Sequence, residues 1–344
     1  MKTRATSFLL AALAVVSFVL PALAADFDEL PEEAPAETEE IEEVRNAVML
    51  DGEPAESVEF EILDGVCYVT VSSFVSMMDT EAMVEEENGV VSVNTTTGVE
   101  VVPMESLAGE SEAAAEAEEG AEPEQAVEAE ESAEPEQAVE AAGNTANVVT
   151  DDLSLTAAAG GDYVVANGRY LYAQDGLPQL NGRVAAPVRL LARVYNLNVA
   201  YNAENDLVLL SRQEGGEPYL ADASAVYDGD TLYWLSRIIN AESGNQPLEG
   251  KIAVGNVVMN RVRDPKFPNT IYDVLFQKNQ FSPAASGSIY REPNEESVVA
   301  AMLVMDGAQV MPNALFFNAA GATRSYAARN RAYVSTIGDH AFYK

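Results

Sequence analysis

The sequence predicts an α+β chain: two small β-rich modules separated by an acidic spacer, followed by a mainly helical C-terminal domain. Three observations predict it. A pattern over residues 64–94 recurs 117 positions later. Between the copies, residues 105–146 are almost entirely Ala, Glu, Gln and Pro. From about Asp228 the apolar spacing changes from the alternation of strands to the 3,4 period of helices.

Taken in order, the chain opens with Lys2 and Arg4, an apolar run from Phe8 to Leu20, and Pro21-Ala22-Leu23-Ala24. That is the layout of a secretory signal peptide cleaved after Ala24. An uncleaved anchor is the alternative, but the run is short for a span. Residues 25–45 are rich in Glu, Pro and Ala and read as a disordered acidic leader. The first β-rich module, 46–100, carries the turn signal Asp64-Gly65 before Val66-Cys67-Tyr68-Val69-Thr70-Val71, a short helix from Ser72 to Met78, and a strand at Gly89–Val93.

The spacer, 101–148, contains a segment that begins Ala121-Glu122-Pro123-Glu124 and recurs from Ala133. It lacks the large apolar residues a core requires. The second module, 149–214, repeats the first without a gap between Asp64 and Asn94. Asp64-Gly65 falls on Asn181-Gly182, Val71 on Val188, and Phe74 on Leu191. The two units are expected to pair with each other.

The charge is uneven. The net charge is −37, yet residues 222–344 hold 12 acidic and 11 basic side chains, while residues 25–221 hold 44 acidic and 6 basic. No basic footprint for nucleic acid is present. One cysteine, Cys67, excludes an intrachain disulfide. With one histidine, His340, a His/Cys metal site or a Cys–His dyad has too few ligands, so no cofactor or metal is expected.

The C-terminal region, 222–344, begins with a helix through Trp234–Glu242, capped by Asp230 and stopped at Gly244. Leu232, Leu235 and Ile239 form its apolar stripe, and the next step lands on Glu242. A carboxyl in line with the core, at the end where the dipole disfavours negative charge, is pushed towards its protonated form, which a general acid needs. A terminal Glu turned to water is the alternative. Glu249 to Val262 is a second helix, with Ile252, Val254, Val257, Val258 and Val262 facing the core. Asn269 caps a short helix, Thr270–Gln277, and Glu295 to Met305 forms another. Ala314 to Asn318 and Thr336 to Tyr343 read as strands.

Two resemblances sharpen this. Arg183 to Leu191 with Asn198 to Asn202 resembles the small domain called copper amine oxidase N-terminal-like, over about 50 residues per copy. The first copy lacks its Pro and Arg. The resemblance implies a module of exported Gram-positive proteins, serving as a stalk, a passive spacer, or a binder of wall polymer or a partner protein; no copper ligands are seen. Trp234–Glu242, Glu249–Val262, Phe267–Tyr272, Gln280-Phe281-Ser282 and Ile337–His340 resemble the SleB-type cell wall hydrolases, the spore cortex-lytic enzymes. Over about 115 residues the motifs stand in order. This implies a lysozyme-like or lytic-transglycosylase-like domain that cuts the glycan strand of peptidoglycan next to N-acetylmuramic acid, in a secreted, wall- or spore-associated protein of a Gram-positive bacterium.

The resemblance makes Glu242, in Asn240-Ala241-Glu242, the catalytic residue. No second carboxylate stands out among Glu249, Asp264, Asp273 and Asp339. The natural route is one acid that protonates the leaving oxygen and then takes the proton of the sugar's 6-hydroxyl. Hydrolysis by water stays open, and so does a wall-binding protein that has lost activity. A zinc amidase is opposed by the single histidine. Gln280, Phe281, Ser282, Phe317 and Asn318 are candidate sugar contacts. The family carries Pro and Trp near Asn318; this chain does not, and Tyr326 is the candidate replacement stack. His340 reads as a structural residue.

Overall fold

The structure, a computed structural model, describes residues 47–95 and 152–344. The signal-like segment, the acidic leader and the spacer expected over 101–148 lie outside the described residues. Among the described residues no helix is long and apolar enough to cross a membrane.

The first copy contains β1 (Ala47–Leu50), β2 (Glu53–Pro54), β3 (Phe60–Leu63), β4 (Val66–Thr70), α1 (Val71–Met78), β5 (Met83–Glu87) and β6 (Val90–Asn94). The second contains β7 (Ser154–Ala158), β8 (Tyr163–Ala166), β9 (Arg169–Tyr172), β10 (Gln179–Leu180), β11 (Arg183–Pro187), α2 (Val188–Val194), β12 (Leu197–Asn202) and β13 (Leu207–Arg212). The turn signals act as their chemistry requires: Asp64-Gly65 and Asn181-Gly182 all adopt positive φ, the geometry of a tight hairpin turn.

The copies do not fold side by side as separate modules. β4 pairs antiparallel with β11 so that Val69 faces Ala186, its own counterpart under the 117-residue shift. A local two-fold axis passes through that pair. On either side of it the copies exchange hairpins. β5–β6 adds to β7–β8–β9, giving the sheet order β5-β6-β7-β8-β9, while β12–β13 adds to β1–β2, giving β12-β13-β1-β2. The second sheet brings β13 parallel to β1. In the first, β7 inserts between the corresponding strands and makes the neighbours antiparallel. Val69, Phe74 and Val91 of one copy and Ala186, Leu191 and Val208 of the other share a single apolar core. A unit of about 50 residues buries too little apolar surface by itself, and an unpaired hairpin leaves an open edge. The exchange removes both problems.

The C-terminal region contains α3 (Ala223–Val226), α4 (Gly229–Ser243), α5 (Leu248–Arg263), α6 (Ile271–Leu275), α7 (Ser282–Ser286), a 3-10 turn (Ser288–Tyr290), α8 (Glu295–Met305), β14 (Phe316–Ala319), α9 (Tyr326–Asn330), β15 (Tyr333–Ile337) and β16 (His340–Tyr343). Helices α4, α5 and α8 enclose the core, with Leu235, Ile239, Val254, Val257 and Val304 inside it. They meet at Gly255, where a β-carbon would stand 2.9 Å from Val304 Cγ2 and 3.0 Å from Ile239 Cδ1. The sheet β14-β16-β15 lies beside these helices.

Several expected boundaries shift. Helix α4 starts earlier: Asp228, not Asp230, is its cap, accepting from the Thr231 N–H at 2.8 Å. Asp230 sits instead in the first turn, where the dipole favours it. Thr270, not Asn269, caps α6, which ends at Leu275. The strand expected over Thr336–Tyr343 is a hairpin, turned at Gly338-Asp339 with Gly338 at φ 53°.

The β-rich body and the C-terminal region meet at a buried ionic node. Asp306, at the end of α8, accepts from Arg169 Nε at 3.0 Å, from Arg193 Nη2 at 2.9 Å and from the Tyr227 hydroxyl. Its carbonyl accepts from Arg193 Nη1 at 2.8 Å. Both arginines belong to the second copy; the first-copy counterpart of Arg193 is Ser76.

Candidate active site

Glu242 lies one residue before the end of α4, directly after the buried turn that holds Leu235, Ile238 and Ile239. The last turn of the helix is clamped. Asn240 Oδ1 accepts from the Asn294 N–H at 3.1 Å, and Asn294 Nδ2 donates to the Gly244 carbonyl at 3.2 Å. Asn294 is also the cap of α8, accepting from the Ser297 N–H at 2.9 Å. Ser243 Oγ donates back to the Ile239 carbonyl at 2.7 Å. Asn240 therefore ties the glutamate's helix end to the start of α8, and the glutamate is held on a rigid element rather than a frayed terminus.

Glu242 opens on a cleft of about 540 Å³. Its other walls come from Arg261 on α5, the stretch Asn279–Ser282 with Ala285, and Phe317, Asn318, Ala319 and His340 on the sheet. Glu242 is the one carboxylate among the described lining residues. Burial raises its pKa above the ordinary carboxyl value, and the positive charge of Arg261 opposes that rise. Arg261 is itself buried, and desolvation lowers its pKa to about 10. Its Nε donates to the Leu315 carbonyl at 2.7 Å and its Nη1 to Gln280 Oε1 at 3.1 Å. Three rings surround the guanidinium, with centroids at 5.1 Å (Phe267), 5.0 Å (Phe281) and 5.3 Å (Phe316). A buried cation with fixed donors and aromatic walls cannot swing away, so its field on Glu242 is constant.

Six of the seven residues singled out in the sequence line this cleft: Glu242, Gln280, Phe281, Ser282, Phe317 and Asn318. They differ in what they can offer. Gln280 and Ser282 are exposed. Phe281 is 4% exposed and caps α7, so its ring is wall rather than a free stacking face. Asn318 has its amide engaged: Oδ1 accepts from Ser325 Oγ at 2.7 Å and Nδ2 donates to the Ala319 carbonyl at 2.8 Å. Tyr326 does not line the cleft; it stands outside it on α9, its ring 6.4 Å from Phe316. Arg261 and Asn279 escaped the sequence argument. Arg261 shares α5 with Glu249, Lys251 and Arg263, so its charge alone did not single it out in the sequence.

His340 lines the cleft with its ring edge-on to Phe317 at 5.3 Å. Its Nδ1 is buried without a hydrogen-bond partner, and burial lowers its pKa while Asp339 opposes that. Gln246 fixes the hairpin next to it, donating to Asp339 Oδ2 at 3.0 Å and accepting from the Asp339 N–H at 2.8 Å. Among the described residues no cluster of three metal-ligating side chains occurs. A larger concavity of about 670 Å³, between Tyr163, Tyr170 and the start of α8, contains no half-buried acid.

Residues 245–343 match the family described as Cell Wall Hydrolase. A spore cortex-lytic enzyme of Bacillus cereus is 34% identical over 119 residues, covering 34% of this chain and 46% of the relative. One from Oceanobacillus iheyensis is 30% identical over 131 residues, covering 38% of this chain and 47% of the relative. The catalytic domain of a germination-specific lytic transglycosylase, SleB from Bacillus anthracis, is 31% identical, with 34% of this chain and 97% of that chain covered and a TM-score of 0.33. The C-terminal domain belongs to the SleB-type cell wall hydrolases. The match spans under half the length of these curated relatives. In the cell wall hydrolase domain the family match begins three residues after Glu242, so the glutamate's part is argued from its geometry.

Proposed function

We propose that the chain is an exported enzyme of the cell wall or spore, cleaving the peptidoglycan glycan strand next to N-acetylmuramic acid, with Glu242 as acid and then base. The observation that carries this is the single carboxylate, half-buried with a raised pKa, at the wall of a cleft that presents amide and hydroxyl groups. Two-carboxylate glycosidases need a second acid across the bond, and none lines this cleft among the described residues.

The chemistry balances with one group. The Glu242 carboxyl gives its proton to the glycosidic oxygen as the C1–O bond breaks. The 6-hydroxyl oxygen of the same muramic acid bonds to C1, and its proton returns to the Glu242 carboxylate. The product is a 1,6-anhydro sugar and no water is consumed. Arg261 favours the ionised form left after the first transfer, so the two halves of the cycle are balanced by burial on one side and the guanidinium on the other. Hydrolysis by water is the second outcome of the same geometry.

In this proposal the hydrolase domain is residues 222–344 and has a lysozyme-like fold, with Gln280, Ser282 and Phe317 as its sugar contacts. The β-rich body is a tether or a wall-polymer binder. Digestion of purified peptidoglycan with mass spectrometry of the muropeptides tests the chemistry. Anhydro ends are expected; reducing ends mean hydrolysis. No release by wild type, or equal release by Glu242→Gln, overturns the enzyme proposal in favour of a wall-binding protein.

A further inference from the structure

A ring cluster on the hydrolase domain plays no part in the cleft. Trp234 is its hub. The rings of Tyr233, Tyr272 and Tyr290 stand edge-on to it at 4.9, 5.4 and 6.1 Å, and Phe276 at 5.4 Å. Tyr272 also stacks on Phe276 at 4.4 Å. The three tyrosines are 41%, 48% and 56% exposed. Exposed aromatic rings gathered into one patch mark a contact surface. The rings are already fixed against one another, so a ligand orders little on binding.

The chemistry of the patch selects its occupant. Arg237 stacks over Tyr233 at 3.8 Å but is joined to Glu292, so its charge is not free. Asp230 and Asp273 share the helices that present the rings. Arg291 follows Tyr290 and Lys278 lies two residues beyond Phe276, so the three acids near the rings (Asp230, Asp273, Glu292) are matched by three bases (Arg237, Lys278, Arg291), and no net positive charge favours a phosphate backbone or an anionic lipid surface. Flat rings edged with hydroxyls, in surroundings of no net charge, suit an uncharged, polyhydroxylated ring, whose C–H face packs on the aromatic face while its hydroxyls meet water and the tyrosine oxygens.

The patch stands on elements that also build the cleft. Trp234 and Glu242 are eight residues apart on α4, about 12 Å along its axis. The chain from Tyr272 to Tyr290 passes through the cleft wall at Asn279–Ala285. We infer that the Trp234 cluster is an outer glycan-binding platform, gripping the strand beyond the sugars held at Glu242. The inference rests on the glycan proposal above, and it supplies grip that the cleft lacks with Asn318's amide already engaged.

The test uses the full chain carrying Glu242→Gln, retained on peptide-free glycan strands, with and without Tyr272→Ala/Tyr290→Ala. Two lost stacks should weaken retention about tenfold. In the active enzyme the same pair should leave turnover of a short muropeptide that fills only the cleft unchanged. Tyr272→Phe/Tyr290→Phe, which keeps both rings, should restore most of the retention. Unchanged retention, equal loss on short and long substrates, or loss of a dimer in sedimentation without loss of retention each overturns the platform. A wild type that cleaves nothing, yet is retained through the tyrosines, removes the enzyme proposal and leaves the platform standing.

Discussion

The β-rich body and the hydrolase domain bury different things. In the body, the buried polar groups are few, and three of the four, Thr70, Ser73 and Asn167, are neutral and bonded to nearby backbone or to one another. In the hydrolase domain Arg237, Lys251, Arg261 and Asp306 lie inside, together with Asn256, Gln246 and Ser297. A symmetric apolar core needs only shape. A site that must hold one carboxyl at an altered pKa needs fixed charges and dipoles around it, which come from buried groups with defined partners. The one charged residue buried in the body, Arg169, is there to reach Asp306 in the other region.

The contrast can be broken at its strongest point first. Glu242→Gln should lower glycan cleavage by about 10²- to 10⁴-fold with the melting transition retained, measured as muropeptide release beside a thermal scan. Asp306→Ala should cost about 3–5 kcal/mol, because it leaves two arginines without their shared partner. Denaturant unfolding would show it, and an effect under 1 kcal/mol would mean the two regions do not depend on the node.

Asn256→Ala should cost about 1–3 kcal/mol. Its Nδ2 donates to the Ala308 carbonyl at 2.7 Å, and its Oδ1 accepts from the Val310 and Met311 N–H groups at 2.9 and 3.0 Å. In the body, removing the exposed pair partner with Arg212→Ala should change stability by about 0–1 kcal/mol.

pH sharpens the same contrast. Glu242 has a raised pKa, so its contribution to stability is present below the ordinary carboxyl value and fades as pH rises through the raised one. In the proposed cycle the working acid is the protonated form, so kcat/KM should fall as pH rises through that raised value. Arg261→Met removes the opposing charge and should move the fall to higher pH; a limb that stays put would remove Arg261 from the account.

Much of this was legible in residue order. The repeat, its turns and the short helix α1 followed from Asp64-Gly65, Asn181-Gly182 and the patterns after them, because φ preference and apolar periodicity act over a few residues. Glu242 stood out because a charge in line with Leu235 and Ile239 violates the helix stripe. The hairpin at Gly338 was not legible, since β15 and β16 both read as strand and the turn glycine alone does not say that the chain reverses.

The sequence alone determined which segments repeat, where the main helices and several strands fall, and which acid is out of place, for these are matters of local sterics and periodicity. Tertiary structure decided that the two copies exchange hairpins, that the second copy docks on Asp306, and that Arg261 faces Glu242. Those depend on partners tens to hundreds of residues away, chosen by the burial of whole surfaces, and no local pattern encodes that choice.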